Sequence, residues 1–136
     1  MNEYEEIRKY CLNCITRPCK EKGCPLQNDI PAFIHENDIK KAFEKLCSTT
    51  VLPAICGRIC PHSQQCQGSC VRGIKGEPVS IGKMESMIGD ISLKEEWSIP
   101  KEVEERLTSK KVAIIGGGPA GLTCAAFLAR KGVQVT

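Results

Sequence analysis

Large aromatic side chains are scarce in this chain of 136 residues: they make up 4% of it, and Trp97 is the single tryptophan. A small domain with so little aromatic surface to bury gains limited stability from its core, and such domains often depend on metals or cross-links. Long apolar runs are also missing, so no segment is expected to cross a bilayer and no membrane partner is expected. The first residues, Met1-Asn2-Glu3-Tyr4-Glu5-Glu6, are polar and acidic. They lack the basic start and apolar stretch of a secretory signal, which points to a cytoplasmic protein. The formal net charge is only +3, and no basic block stands out, so nucleic acid is not an expected partner. The short pair Lys110-Lys111 reads as a solvated edge before a strand.

What the chain does have is ten cysteines. Thiols in a reducing compartment serve as metal ligands or redox groups far more often than as structural disulfides. Eight of the ten fall into two groups. The first is Cys11-x2-Cys14-x4-Cys19-x4-Cys24-Pro25, and the second is Cys56-x3-Cys60-Pro61-x4-Cys66-x3-Cys70. These eight match the demand of two cubane iron–sulfur clusters, each with four irons needing one protein ligand apiece. Three thiolates from a short loop can reach three corners of a cube, and the fourth corner is reached more easily from a distant segment. Two-cluster ferredoxins share ligands in this way, through a cysteine placed before a proline. Zinc is the alternative: Cys11-x2-Cys14 fits a zinc knuckle and Cys66-x3-Cys70 could form one, but the wider spacings fit less well. His62 is a possible further ligand, more simply read as a solvated loop histidine. Cys47 and Cys124 lie outside both groups on apolar helical faces and read as small buried hydrophobes.

The pattern around the cysteines is helical. Residues 2–10 suit a short helix, with acidic residues in the first turn and Arg8 and Lys9 in the last. Residues 11–28, rich in cysteine and turn formers, read as a loop shaped by its ligands. A short helix after Asp29 accepts Pro31 in its first turn. Asn37 or Asp38 can cap the next, whose apolar positions Ile39, Ala42, Phe43 and Leu46 share one face. Further helices are expected over 52–60 and from Ser80 to about Trp97, the latter with Ile81, Met84, Ile88 and Ile91 near helical spacing.

From Lys111 the character changes. Val112-Ala113-Ile114-Ile115 reads as a buried parallel strand, followed by Gly116-Gly117-Gly118-Pro119-Ala120-Gly121, a helix over 119–131 and a second strand from Val133. The glycine run contains Gly-x-Gly-x-x-Gly between a strand and a helix, the context a dinucleotide-binding loop requires. The glycines at 116, 118 and 121 would provide the tight turn, close backbone approach to a pyrophosphate, and close helix–strand packing. The acidic ribose-binding residue of a complete unit would lie about 20 residues further on, beyond Thr136. The expectation is therefore a truncated unit that binds a dinucleotide poorly by itself.

Taken together, these stretches resemble the N-terminal part of the glutamate synthase small (beta) subunit family, and the related N-terminal region of dihydropyrimidine dehydrogenase. The resemblance runs from about Cys11 to the end. It rests on Cys11-Leu12-Asn13-Cys14, Gly23-Cys24-Pro25-Leu26, Ile55-Cys56-Gly57-Arg58-Ile59-Cys60-Pro61, the run from Cys66 to Glu85, and Val112 to Leu122. It implies a mostly α chain. An all-helical ferredoxin-like domain with two [4Fe–4S] clusters over residues 1–99 is joined by a linker, 100–110, to the start of a Rossmann-type FAD/NAD(P)-binding domain over 111–136. By position, one cluster would take Cys11, Cys14, Cys19 and Cys70, and the other Cys24, Cys60, Cys66 and Glu85. Spacing alone would choose Cys56 for that last place, and helical spacing alone would make Glu85 a surface charge. Four residues separate Cys19 from Cys24, where the family commonly has three. The glycine loop, with Gly116, Gly118, Pro119, Ala120 and Gly121, would bind FAD. The implied full-length activity is that of an FAD-dependent NAD(P)H oxidoreductase, passing electrons to a large catalytic subunit or another redox partner. This segment alone would be inactive, and the rival function is a zinc-stabilised interaction module.

Overall fold

The computed structural model describes residues 3–136 and divides the chain into two compact units, one ending at Trp97 and the other running from Ser98. The first unit is helical: α1 Glu3–Tyr10, α2 Ile30–Ile34, α3 Ile39–Leu46, α4 Pro53–Ile59 and α5 Ile81–Lys94, with short 3-10 turns at His62–Gln64 and Val71–Ile74. The capping chemistry read from the sequence is present. The Asp38 carboxylate accepts hydrogen bonds from the Lys40 and Lys41 N–H groups at 2.9 and 3.4 Å, and Pro31 sits in the first turn of α2. One segment expected as loop is not: Cys19–Gly23 winds into a single π-type turn, closed by the Cys24 N–H on the Cys19 carbonyl at 2.9 Å. A π turn holds one residue more than an α turn. It spans the residues between Cys19 and Cys24.

The core of this unit is aliphatic. Phe33, Ile34, Leu46, Val79, Ile81, Met84, Ile88 and Cys47 are almost completely buried. Cys47, at the end of α3, is thus the small buried hydrophobe expected. Trp97 closes the unit by packing on Phe43, ring centroids 5.8 Å apart, and its main-chain N–H donates to the Ser92 carbonyl at 2.9 Å. The closest helix pair is α4 against α5. A Cβ on Gly57 would stand 2.4 Å from the Ser86 nitrogen, and one on Gly89 would stand 2.3 Å from the Ala54 nitrogen. These two glycines let backbone lie on backbone.

In the second unit, β1 (Lys111–Val112) and β2 (Gln134–Val135) pair in parallel, Lys111 opposite Gln134 and Val112 opposite Val135, with α6 (Pro119–Arg130) between them in sequence. The strands are shorter than the apolar runs suggested, although the Ile114 N–H still bonds the Thr136 carbonyl at 2.8 Å. Residues 102–104, in the stretch expected as a linker, bond into this unit: the Glu102 and Glu104 N–H groups donate to Arg130 and Lys131 carbonyls. Cys124 is exposed, not buried as its helical face suggested, because that face of α6 has no further layer over it.

Gly89→Val should destabilise the first unit by about 3 kcal/mol, since the added side chain meets main-chain atoms that cannot repack. Gly73→Ala, whose Cβ would first meet Pro78 at 3.6 Å, should cost much less. Denaturant unfolding followed by circular dichroism checks both, and equal losses would contradict the close crossing.

Candidate functional site

Two cavities in the helical unit are lined by cysteines. Cys11, Cys14, Cys19 and Cys70 line the first, among the apolar side chains of Leu12, Ile30, Ile34, Val79 and Ile81. Cys24, Cys56, Cys60, Cys66 and Glu85 line the second, beside Asn28, Thr50 and His62. Ile30 and Ile81 belong to both walls. Each cavity therefore draws on both sequence groups: Cys24 leaves the first group for the second cavity, and Cys70 leaves the second group for the first.

Local backbone geometry explains the exchange. Asn13, Arg17 and Gln27 hold left-handed conformations, with φ of 48°, 42° and 52°, and fold the first loop back on itself. Such a residue costs roughly 1 kcal/mol. At Arg17 the cost is offset by Asp29, whose two carboxylate oxygens each accept from Nη1 at 2.7 Å, with Lys20 Nζ 3.5 Å away. The π turn then carries Cys24 past Gly23. A Cβ on Gly23 would lie 2.7 Å from the Cys66 Cα, so this glycine is what lets the first loop rest on the second. At the other end, Arg72 donates from Nε to the Tyr10 carbonyl at 2.9 Å and stacks its guanidinium 4.4 Å from the Tyr10 ring centroid. That contact ties the segment after Cys70 to the helix before Cys11.

In the second cavity, Cys56 and Cys60 lie one turn apart at the end of α4. The Cys60 N–H closes that helix on the Cys56 carbonyl at 3.2 Å, and Pro61 prevents its continuation. Glu85 faces the cavity from α5 and is only 7% exposed, which excludes the surface-charge role that helical spacing alone would give it. His62 is not the solvated loop residue expected. Its ring is partly buried against Gly82, with Nε2 3.2 Å from the Gly57 carbonyl oxygen and Nδ1 3.4 Å from Cys66 Sγ. Sequence spacing offered no sign of this, because the ring is held by residues from both α4 and α5.

No two cysteines are joined in a disulfide. Burial raises Cys11, Cys19, Cys60 and Cys66 above the usual thiol range, Cys19 and Cys60 to about 11 and Cys66 to about 12, and neighbouring thiols add to the shift. Burial also pushes the Glu85 carboxyl up to about 7. Negative donors crowded into apolar walls are unfavourable alone and favourable around a cation, the signature of a ligand cage. Among the described residues, no three His, Cys, Asp or Glu side chains converge closely enough to hold a single ion; the donors surround a space. Soft thiolates around an apolar space suit an iron–sulfur group, and the residues present fit one in each cavity.

The second unit carries the glycine loop. Gly116 has φ of 112°, a conformation open to glycine, and nothing lies within 4 Å of where side chains on Gly116, Gly117 and Gly118 would begin. A Cβ on Gly121 would stand 2.1 Å from the Gly116 carbonyl oxygen, so the turn into α6 closes only on glycine. Pro119 and Ala120 form the first turn of α6, whose free N–H groups follow directly on the open loop.

The raised Glu85 value has a consequence for the metal-free chain. The folded carboxyl, at about 7, holds its proton more tightly than the unfolded one at 4.5. Its contribution to stability is complete below pH 4.5 and is lost as pH rises through 7. Between pH 5 and pH 8, Glu85→Gln should lose less stability than the parent, by up to about 3 kcal/mol, measured by urea unfolding of both metal-free proteins. Parallel pH profiles would contradict the buried carboxyl.

Comparison with known proteins meets this geometry at both units. A family model described as dihydropyrimidine dehydrogenase domain II, 4Fe-4S cluster, matches residues 2–97, and one described as FAD binding domain matches residues 109–136. Among similar proteins, the glutamate synthase [NADPH] small chain of Escherichia coli is 42% identical over 91% of this chain and 26% of its own length. The small chain of Bacillus subtilis is 36% identical over 93% of this chain and 27% of its own. The glutamate synthase [NADH] of Saccharomyces cerevisiae is 42% identical over 98% of this chain and 6% of its own. The chain thus spans about a quarter of the bacterial small chains it matches. With the cysteine cavities and the family match lying in the same residues, the chain belongs to the 4Fe-4S cluster family of dihydropyrimidine dehydrogenase domain II, and its first unit is an iron–sulfur domain.

Proposed function

We propose that the helical unit holds two [4Fe–4S] clusters and is the electron-transfer domain of an FAD-dependent NAD(P)H oxidoreductase of the glutamate synthase small-subunit type. The first cluster is assigned to Cys11, Cys14, Cys19 and Cys70, and the second to Cys24, Cys60, Cys66 and Glu85. The observation that carries this reading is the pair of cavities, each with at least four thiol or carboxyl donors, with Ile30 and Ile81 lining both. A bound cluster supplies single-electron transfer at a potential set by its ligands, hydrogen bonds and burial.

The chain's own residues do the rest. Ile30 and Ile81 in both cavities, with Ile34 and Val79 in the first, lower the local dielectric around the donors. Ile30 and Ile81 also form a wall common to the two donor sets. Glu85 replaces a soft thiolate with a hard carboxylate at one corner, which distinguishes the second site from the first. In the dinucleotide-binding unit, Gly116, Gly118 and Gly121 keep the backbone bare for a pyrophosphate. The N–H groups after Pro119, with the positive end of α6, receive its charge. Hydride chemistry belongs to the flavin and nicotinamide. In the whole protein the acceptor is a large catalytic subunit or another redox partner, and the compartment is the reducing cytoplasm, where thiols serve as metal ligands and not as disulfides.

Protein purified anaerobically should be brown and carry about eight irons and eight sulfides per chain, two cubanes' worth, with two separable EPR signals on reduction. A colourless protein with stoichiometric zinc and neither iron nor sulfide would instead make the domain a zinc-stabilised interaction module. Cys14→Ala should abolish one signal. Glu85→Ala should disturb the other and leave the first intact. Two unchanged signals in Glu85→Ala, with one lost in Cys56→Ala, would move the eighth ligand to Cys56.

A further inference from the structure

Among the described residues, the buried polar side chains are Asn28, Thr50, Glu85 and Ser92, and the first three of these line the second cavity. None of them lines the first. Burying a polar group is unfavourable unless it is hydrogen-bonded, so each of the three needs a partner. Glu85 is assigned to the cluster. Thr50 is committed to protein: its oxygen accepts the Leu52 N–H at 3.3 Å and lies 3.5 Å from Cys56 Sγ. Asn28 is committed at one end only.

Local geometry fixes how Asn28 sits. Gln27 before it is left-handed, with φ of 52°, and donates its N–H to the Cys24 carbonyl at 2.9 Å. The Asn28 carbonyl accepts the Ile30 N–H at 2.7 Å. In the side chain, Oδ1 can only accept, so the Thr49 hydroxyl donates to it, at 2.9 Å. The amide is planar, and anchoring its oxygen also orients its nitrogen. Nδ2 carries two hydrogens, and neither has a partner among the described residues. Asn28 is only 4% exposed, so bulk water does not serve them; the open space beside it is the second cavity.

We infer that Asn28 is a positioning and tuning residue of the second site: anchored by Thr49, its side-chain N–H group donates into the cavity, to a negatively charged sulfur of the bound cluster or its thiolates, and raises that cluster's reduction potential. Reduction places further negative charge on those sulfurs, so a fixed donor aimed at one of them favours the reduced state. Thr49 acts through Asn28 by aiming the amide. The inference rests on the two-cluster reading of the cavities, and it holds with either Glu85 or Cys56 as the eighth ligand.

The test uses the full protein, purified anaerobically, with iron and sulfide assays and an EPR-monitored redox titration. The second cluster is the one whose signal survives Cys14→Ala. Asn28→Leu, close in size and without a donor, should keep the wild-type iron and sulfide and shift the reduction equilibrium of that cluster about tenfold toward the oxidised form, ~59 mV lower for one electron. The first cluster should not move. Thr49→Val removes the same Thr49–Asn28 bond but leaves the amide, and should shift the second midpoint by less. Equal shifts in the two variants would overturn the inference and reduce Asn28 to a structural partner of Thr49. A second measurement needs no variant: with heavy nitrogen in the asparagine side chains of the wild-type protein, pulsed EPR should show a weak nitrogen coupling on the second signal, and its absence would overturn the inference. Full iron with an unmoved midpoint in Asn28→Leu would overturn it too and leave the two-cluster reading standing. Wild-type protein with zinc and no iron would overturn both.

Discussion

The second ligand cavity depends on how closely α4 lies against α5. Gly57 and Gly89 remove the side chains that would hold the two backbones apart. That contact sets Cys56 and Cys60, at the end of one helix, opposite Glu85 on the other, and places Gly82 against the His62 ring. Bulkier residues at these glycines would separate the helices by more than a donor's reach. The aliphatic core around Ile81, Met84 and Ile88 holds the pair together from α5's side, so the same helix that closes the core presents the carboxyl to the cavity.

The first cavity is built by loops, and its geometry is held by polar contacts where the core cannot reach. Left-handed residues at Asn13, Arg17 and Gln27 turn the thiols inward. The Asp29 clamp on Arg17 and Lys20 holds the strained turn, and the Tyr10–Arg72 stack brings the distant Cys70 to the loop at its other edge. These are surface contacts of modest individual strength, which accords with a domain whose cavities gain much of their order from the group they hold. Buried thiols raised to about 11 or 12 point the same way, since they become thiolates only in exchange for metal.

Dividing the donors between two cavities with a shared Ile30 and Ile81 wall links assembly to electron transfer. Each site needs segments from both halves of the domain, so neither forms unless the loops meet at Gly23 and Cys66. The same meeting places the two sites side by side. The family match and the two cysteine-lined cavities lie in the same residues.

Much of this was legible from residue types and spacing, because it is governed by local chemistry. The two cysteine groups, the cap at Asp38, Pro31 in the first turn of α2, the apolar face of α3 and the glycine loop before α6 all follow from neighbours a few positions away. The resemblance supplied the pairing of Cys24 and Cys70 with the opposite group. The structure alone decided what depends on contacts between distant segments. It buried Glu85, drew His62 out of solvent onto Cys66, exposed Cys124, and wound Cys19–Gly23 into a π turn. It also set Thr50 on Cys56. A side chain's residue type states which bonds it can make; only the packing of α4 on α5, and of one loop on another, determines which partners come within reach.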